Sequence, residues 1–207
     1  MTTDLPGLPP HSFTKADPAP DDIFYAMPRL VTHIDDHAIA AVTALYLELF
    51  PAGGTILDLM GSWVSHLPRD IAYGEVIGHG MNGQELAANP RYDRWFVQNL
   101  NDNATLPLAP ASVDAVGICV SIQYLQQPVE VLREVRRVLR PGGSIAITFS
   151  NRCFPTKAVA IWQALAMGQH QALVALYLER AGFASIDART LIGPDADCDP
   201  LWAVIAR

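Results

Sequence analysis

Apolar residues recur along this chain in two rhythms. Ile34, Ala38, Ala41, Val42, Leu45 and Leu49 fall three or four positions apart, the spacing that lines one face of an α-helix over residues 34–50, and Pro51-Ala52-Gly53-Gly54 stops it. Short unbroken apolar runs bounded by turn residues follow at 55–59, 75–78, 94–97, 112–121 and 144–149. Strands buried on both faces read this way. Helical stretches lie between them at 83–89 and at 129–139, where Val131, Leu132, Val135, Val138 and Leu139 form one stripe. Pro141-Gly142-Gly143 is expected to end the second helix and turn the chain into the fifth strand. Residues 157–166 and 169–181 read as helices, the latter capped by Gly182, and 185–191 and 201–206 as strands.

Strands alternating with helices imply a right-handed, doubly wound, mostly parallel α/β sheet of seven strands. The last two strands are joined by Gly193-Pro194-Asp195-Ala196-Asp197-Cys198-Asp199-Pro200, too short for a parallel crossover, so they are expected to pair as an antiparallel hairpin. Residues 1–22 carry five prolines and no periodicity, which predicts a flexible arm before a single domain at 23–207.

Composition narrows the partners. The chain has 207 residues, of which 17% are charged, with a formal net charge of −7. It offers no clustered Lys and Arg to attract a phosphate backbone or an anionic lipid surface, so the expected partner is a small molecule rather than nucleic acid or membrane. A monomer or homodimer is expected. Cys119, Cys153 and Cys198 are odd in number and widely spaced, which predicts neither a disulfide framework nor a metal site. With no secretory leader and no apolar run of roughly 18–20 residues, the sequence predicts a soluble, cytoplasmic protein.

Four pieces in order carry a family resemblance: Leu106-Pro107, Ser112-Val113-Asp114, Arg137-Val138-Leu139-Arg140-Pro141-Gly142-Gly143 and Ser144-Ile145-Ala146-Ile147. Together they resemble the type 11 branch of the class I S-adenosylmethionine-dependent methyltransferases, and the likeness runs from about residue 55 to the carboxyl end. It implies a Rossmann-like methyltransferase fold, S-adenosyl-L-methionine as cofactor and methyl transfer to a small acceptor. Two positions depart from the family pattern. Where the family has a D-x-G-x-G-x-G turn after the first strand, this chain has Asp58-Leu59-Met60-Gly61-Ser62-Trp63-Val64, so either the turn has another shape or Gly61 takes the one strained position. Where the family has an acidic residue that grips the ribose, Gly80 stands, with Asn82 the preferred substitute and Glu85 the second.

The cofactor residues that the resemblance implies are Asp58, Met60, Gly61, Ser62, Gly80, Met81, Asn82, Asn101, Asp102 and Ser121. In a doubly wound fold the ligand lies beyond the carboxyl ends of the strands. This brings in Tyr25, Arg29, Trp63, Tyr124, Asn151, Arg152 and Phe154 as acceptor-binding candidates, with His33 and His66 as candidate general bases. Two alternatives stand beside methyl transfer. One is a catalytically silent protein that binds S-adenosylmethionine or S-adenosylhomocysteine as a regulator or subunit. The other, a nicotinamide-dependent oxidoreductase, is disfavoured by the missing G-x-G-x-x-G and by the terminal hairpin.

Overall fold

The computed structural model describes residues 5, 7–9 and 11–207. Strands β1 (Thr55–Asp58), β2 (Glu75–Gly80), β3 (Arg94–Val97), β4 (Val113–Cys119), β5 (Leu139–Ser150), β6 (Ile186–Ile192) and β7 (Leu201–Ala206) form one sheet in the order β3-β2-β1-β4-β5-β7-β6. The first five pair in parallel, and β7 runs antiparallel between β5 and β6. The chain therefore has the doubly wound sheet and terminal hairpin that its strand spacing predicts.

Helices cover both faces. Helix α2 (Asp36–Leu49) is capped by Asp35, whose Oδ1 accepts from the Ala38 amide at 2.9 Å. It packs Ala38, Val42, Leu45 and Tyr46 against Ile56, Val76, Ala115 and Ala146. The alternate strand residues, including Leu57, Ile77, Val116, Ile145 and Ile147, face α4 (Pro128–Val138) and α6 (His170–Ala181). Two-sided burial explains why the strands read as continuous apolar runs. Helix α4 starts with Pro128 in its first turn and ends with Arg136 and Arg137, both matched to the polarity of a helix. Helix α6 ends on Gly182 in the left-handed conformation, φ 94°.

Three expectations change. Helix α4 stops before Pro141-Gly142-Gly143, because Leu139 already pairs with Val113; the ladder then skips to Ala115 and Ser144, and the intervening residues bulge out with Gly142 at φ 82°. Of 157–166, only α5 (Ala160–Ala164) is an α-helix. The residues before it serve another element: Val159 bridges to Lys15, and Lys157, fully buried, points its Nζ at Asp17 Oδ2 (3.0 Å), the Ala19 carbonyl (2.7 Å) and Asp21 Oδ1 (3.5 Å). Residues 11–22, which show no periodicity, are thus held against the domain through these contacts and lead into α1 (Asp21–Phe24).

The link from β1 to β2, in which the sequence shows no helical stretch, needs support from elsewhere. Residues 59–74 form this parallel crossover without any helix. Side chains from neighbouring elements hold it: Thr43 donates to the His66 carbonyl (3.0 Å), Asn89 to the Ser62 carbonyl (2.9 Å) and Arg91 to the Ile71 carbonyl (3.1 Å).

Candidate active site

A cavity of about 470 Å³ opens beyond the carboxyl ends of β1, β2 and β4. It lies where a doubly wound sheet binds ligands, beside the reversal of strand order between β1 and β4. Two non-glycine residues in the left-handed region mark its floor, Met60 after β1 (φ 60°) and Val120 after β4 (φ 45°). Each costs of order 1–2 kcal/mol. The strained position in the β1 turn is therefore Met60, one residue earlier than Gly61.

The turn is wired from beneath. Asp58 is buried and accepts from the Ser65 hydroxyl and from Tyr92 Oη (2.8 Å), while burial pushes its carboxyl up from the ordinary range. His79, next to the end of the buried part of β2, accepts from the Met60 amide at Nδ1 (3.0 Å) and donates from Nε2 to the Gln98 carbonyl (3.0 Å). This pattern demands a neutral ring with its proton on Nε2. Burial agrees, lowering the His79 pKa to about 4. The Gly61 amide completes the contact by donating to the His79 carbonyl at 2.7 Å.

That backbone contact accounts for Gly80. A Cβ there would meet the Gly61 carbonyl oxygen at 2.5 Å, and a Cβ on Gly61 would run into Tyr92. The ordinary site for a ribose-binding acid is filled by the turn itself. Three carboxylates line the cavity, Asp21, Asp58 and Glu85, and the one beside the β2 exit comes from α3 (Gly83–Ala88): Glu85 accepts from the Ser62 hydroxyl at Oε2 (2.5 Å) and from the Arg29 amide at Oε1 (2.6 Å). Asn82 also lines the cavity, but its amide is engaged: Oδ1 caps α3 by accepting from Gln84 and Glu85, and Nδ2 donates to the carbonyls of Tyr25 and Ala26.

Met81, Asn101 and Ser121 line the cavity as well. The Asn101 side chain is a hub, donating to Asp21 Oδ2 and the Tyr124 carbonyl and accepting from the Gln126 amide. Asp102 is not among the lining residues; it accepts from Asn99. Nor does Trp63 line the cavity, since its indole Nε1 donates to the Val31 carbonyl and staples the crossover to the amino-terminal segment.

The wall built by the amino-terminal segment and the loop after β5 is aromatic. The Arg29 guanidinium lies over Phe24 (4.5 Å) and near Phe154 (5.4 Å), and His33 meets Phe154 edge-on at 5.3 Å. Tyr25 and Asn151 share this wall. Tyr124 Oη accepts from the Phe154 amide at 2.9 Å, fixing the loop after β5. Arg152, at the rim, pairs with Asp199 at 3.0 Å. Burial lowers the pKa of His33, and that of His66 to about 4, so both rings are neutral at pH 7. Burial also pushes the Cys119 thiol up to about 12 and raises that of Cys153, so neither is a thiolate nucleophile.

Residues 61–147 match the type 11 family described as a methyltransferase domain. This stretch, under half of the chain, resembles the methyltransferase domain of the class I S-adenosylmethionine-dependent superfamily. Solved structures of the same fold include the putative methyltransferase of Haloferax volcanii in complex with the Trm112 methyltransferase activator, with 15% identity, 83% of this chain and 90% of that one covered and a TM-score of 0.63. The [4+2]-cyclase SpnF shares 17% identity over 90% of each chain at a TM-score of 0.64. A methyltransferase from Aquifex aeolicus shares 18% identity, covering 84% of this chain and 89% of that one, at a TM-score of 0.59. At these identities the likeness is one of fold. No curated protein matches the chain.

S-adenosylmethionine is the cofactor of this superfamily. The cavity's chemistry fits it: Glu85 supplies a carboxylate beside the β2 exit for a diol, and residues 98–101 form a wall after β3. The volume lies within the roughly 300–1,000 Å³ of small-molecule sites.

His79 and Lys157 are the structural residues that sequence reasoning missed. For His79 the available signal was a polar ring interrupting a buried strand; for Lys157 there was none, because a lysine beside Ala158 and Val159 reads as a surface residue.

Proposed function

We propose that this protein transfers the methyl group of S-adenosylmethionine to a small-molecule acceptor. The carrying observation is Glu85, a carboxylate placed in the cavity by α3 and braced by Ser62 and Arg29 at the position from which Gly80 is barred. In this reading Glu85 takes the ribose hydroxyls, the residue 60–62 turn faces the amino-acid moiety, and residues 98–101 border the adenine.

When bound, the cofactor supplies a methyl group on a positively charged sulfur, already activated for in-line displacement. The protein's task is to hold an acceptor on that line, and orientation alone contributes about 7–11 kcal/mol. Arg29, Tyr25, Tyr124 and Phe154 form the acceptor wall; Asn151 and Arg152 stand at the exit of β5. Because cofactor and acceptor share about 470 Å³, the acceptor is small. His33 is the proposed base for an acceptor that must lose a proton. It adjoins Phe154, whereas His66, lowered to about 4, is too weak a base to draw a proton at pH 7. The proposed setting is cytoplasmic, as a monomer or homodimer.

Isothermal titration with S-adenosylmethionine and S-adenosylhomocysteine, with NADH as control, tests the cofactor half. Formation of S-adenosylhomocysteine across a panel of small acceptors tests the transfer. Absence of any adenosyl binding at millimolar ligand sinks the reading. Binding without turnover on every acceptor favours the silent binder, a reading that the cyclase activity named for SpnF, on the same fold, keeps in view.

A further inference from the structure

Outside the cavity, Asp35, His37 and Cys198 bring a carboxylate oxygen, an imidazole nitrogen and a thiol sulfur within 4.8 Å of one another. Sequence spacing hides this set, because 161 positions separate His37 from Cys198. We propose that these three side chains form a binding site for a borderline divalent transition-metal ion of the zinc class. Thiolate, imidazole and carboxylate together are a zinc-type donor set, whereas magnesium and calcium select oxygen alone.

The geometry is close to what such an ion needs. Ligand atoms on one tetrahedral zinc sit roughly 3.3–3.8 Å apart, from bond lengths of about 2.0–2.3 Å. His37 is exposed and Cys198 half-buried, so neither ring nor thiol is locked by core packing against closing that remaining distance. Asp35 retains lone pairs for a metal while Oδ1 caps α2 and Oδ2 accepts from the Asp199 amide (2.6 Å). The surroundings are anionic: burial and the carboxylates of Asp35, Asp199 and Asp197 raise the Cys198 thiol, and the nearby Arg152 is already paired with Asp199. Binding releases the Cys198 proton to solvent as the sulfur–metal bond forms, with no change in oxidation state. Water completes the coordination.

The site has a structural consequence. It fastens the β6–β7 link to the start of α2, and Asp199 in that link holds both the Asp35 amide (3.0 Å) and Arg152 at the cavity rim. An ion there fixes the rim.

The test uses the full chain stripped by a chelator. Zinc chloride titrated calorimetrically is expected to bind at one equivalent, and cobalt(II) chloride to give a thiolate charge-transfer absorption. Cys198→Ser and His37→Ala are each expected to weaken zinc at least about 10–100-fold, the range that even loss of an outer-shell partner causes. Neither position lies in the core, and matching thermal melts of the metal-free variants confirm an intact fold. Zinc should also slow alkylation of Cys198, read by mass spectrometry, and leave Cys153 unaffected. Equal zinc affinity in Cys198→Ser, or a cobalt complex without thiolate absorption, overturns the site. None of these readouts depends on methyl transfer.

Discussion

At the scale of the residue, the rebuilt turn after β1 is a set of substitutions that explain one another. Gly61 packs its backbone on the β2 exit, Gly80 makes room for it, and in the proposed reading Glu85 supplies the ribose-binding carboxylate. Replacing Glu85 by Gln exchanges charge-assisted hydrogen bonds, about 1.5–3 kcal/mol each, for neutral ones of about 0.5–1.5. The expected result is a roughly tenfold rise in the dissociation constant for S-adenosylhomocysteine by titration calorimetry; unchanged affinity removes Glu85 from the ribose. His79 sets a pH dependence. Its pKa is about 4 in the folded chain against 6.5 for an ordinary histidine, so below pH 6.5 the unfolded state binds the extra proton. Stability is fully present above pH 6.5 and declines as pH falls toward 4, by at most about 3 kcal/mol from this one ring. Thermal melts of wild type and His79→Gln between pH 7 and 4.5 should converge as the pH drops. Parallel slopes would mean that His79 is not the titrating group.

At the scale of the element, the amino-terminal segment and the helix-less crossover are held by scattered backbone bonds, such as Ala160 N–H to the Thr14 carbonyl (2.9 Å) and Gly53 N–H to the Ala72 carbonyl (2.8 Å), reinforced by side chains. Lys157 is the fastening for the first. It meets Asp17 and Asp21, and Asp21 also accepts from Asn101 under the cavity and pairs with Lys15 at 2.5 Å. Lys157→Met takes one of two cationic partners from buried Asp21, which keeps Lys15, and the lysine partner from the partly exposed Asp17, so the cost is expected to stay below the about 3–5 kcal/mol of a buried charge left with no partner. We expect a matching loss in denaturant midpoint and earlier proteolytic cleavage in residues 15–33; a midpoint within about 0.5 kcal/mol of wild type would show the network to be dispensable. The crossover behaves likewise. Asn89→Ala removes the bond to the Ser62 carbonyl, so amides at 60–68 should exchange faster with deuterium while those of β4 and β5 stay protected. Uniform acceleration across the sheet would point instead to global destabilisation.

At the scale of the whole molecule, two apolar layers sandwich one sheet, and the cavity opens where the carboxyl ends of β1, β2 and β4 meet the amino-terminal segment. Ligand binding there couples to folding of the entire domain. An adenosyl ligand at about 100 times its dissociation constant adds about 2.7 kcal/mol to stability. For a chain of this size that is a melting shift of roughly 5–11 °C, absent with NADH.

The parts legible in the sequence are those that local physics determines. Periodicity placed α2 and α4, unbroken apolar runs placed the parallel strands, and a link too short for a crossover required the β6–β7 hairpin. Gly182 behaves as a helix end whatever surrounds it. The carboxylate at 85, the neutral ring of His79, the burial of Lys157 and the meeting of His37 with Cys198 were decided by tertiary structure, because each depends on a partner between 19 and 161 positions away in the chain. No local pattern encodes such a distance. The choice between Asn82 and Glu85 shows the difference. Both are polar residues near the β2 exit; only the folded chain shows that one spends its amide on a cap and two carbonyls while the other brings its carboxylate into the cavity.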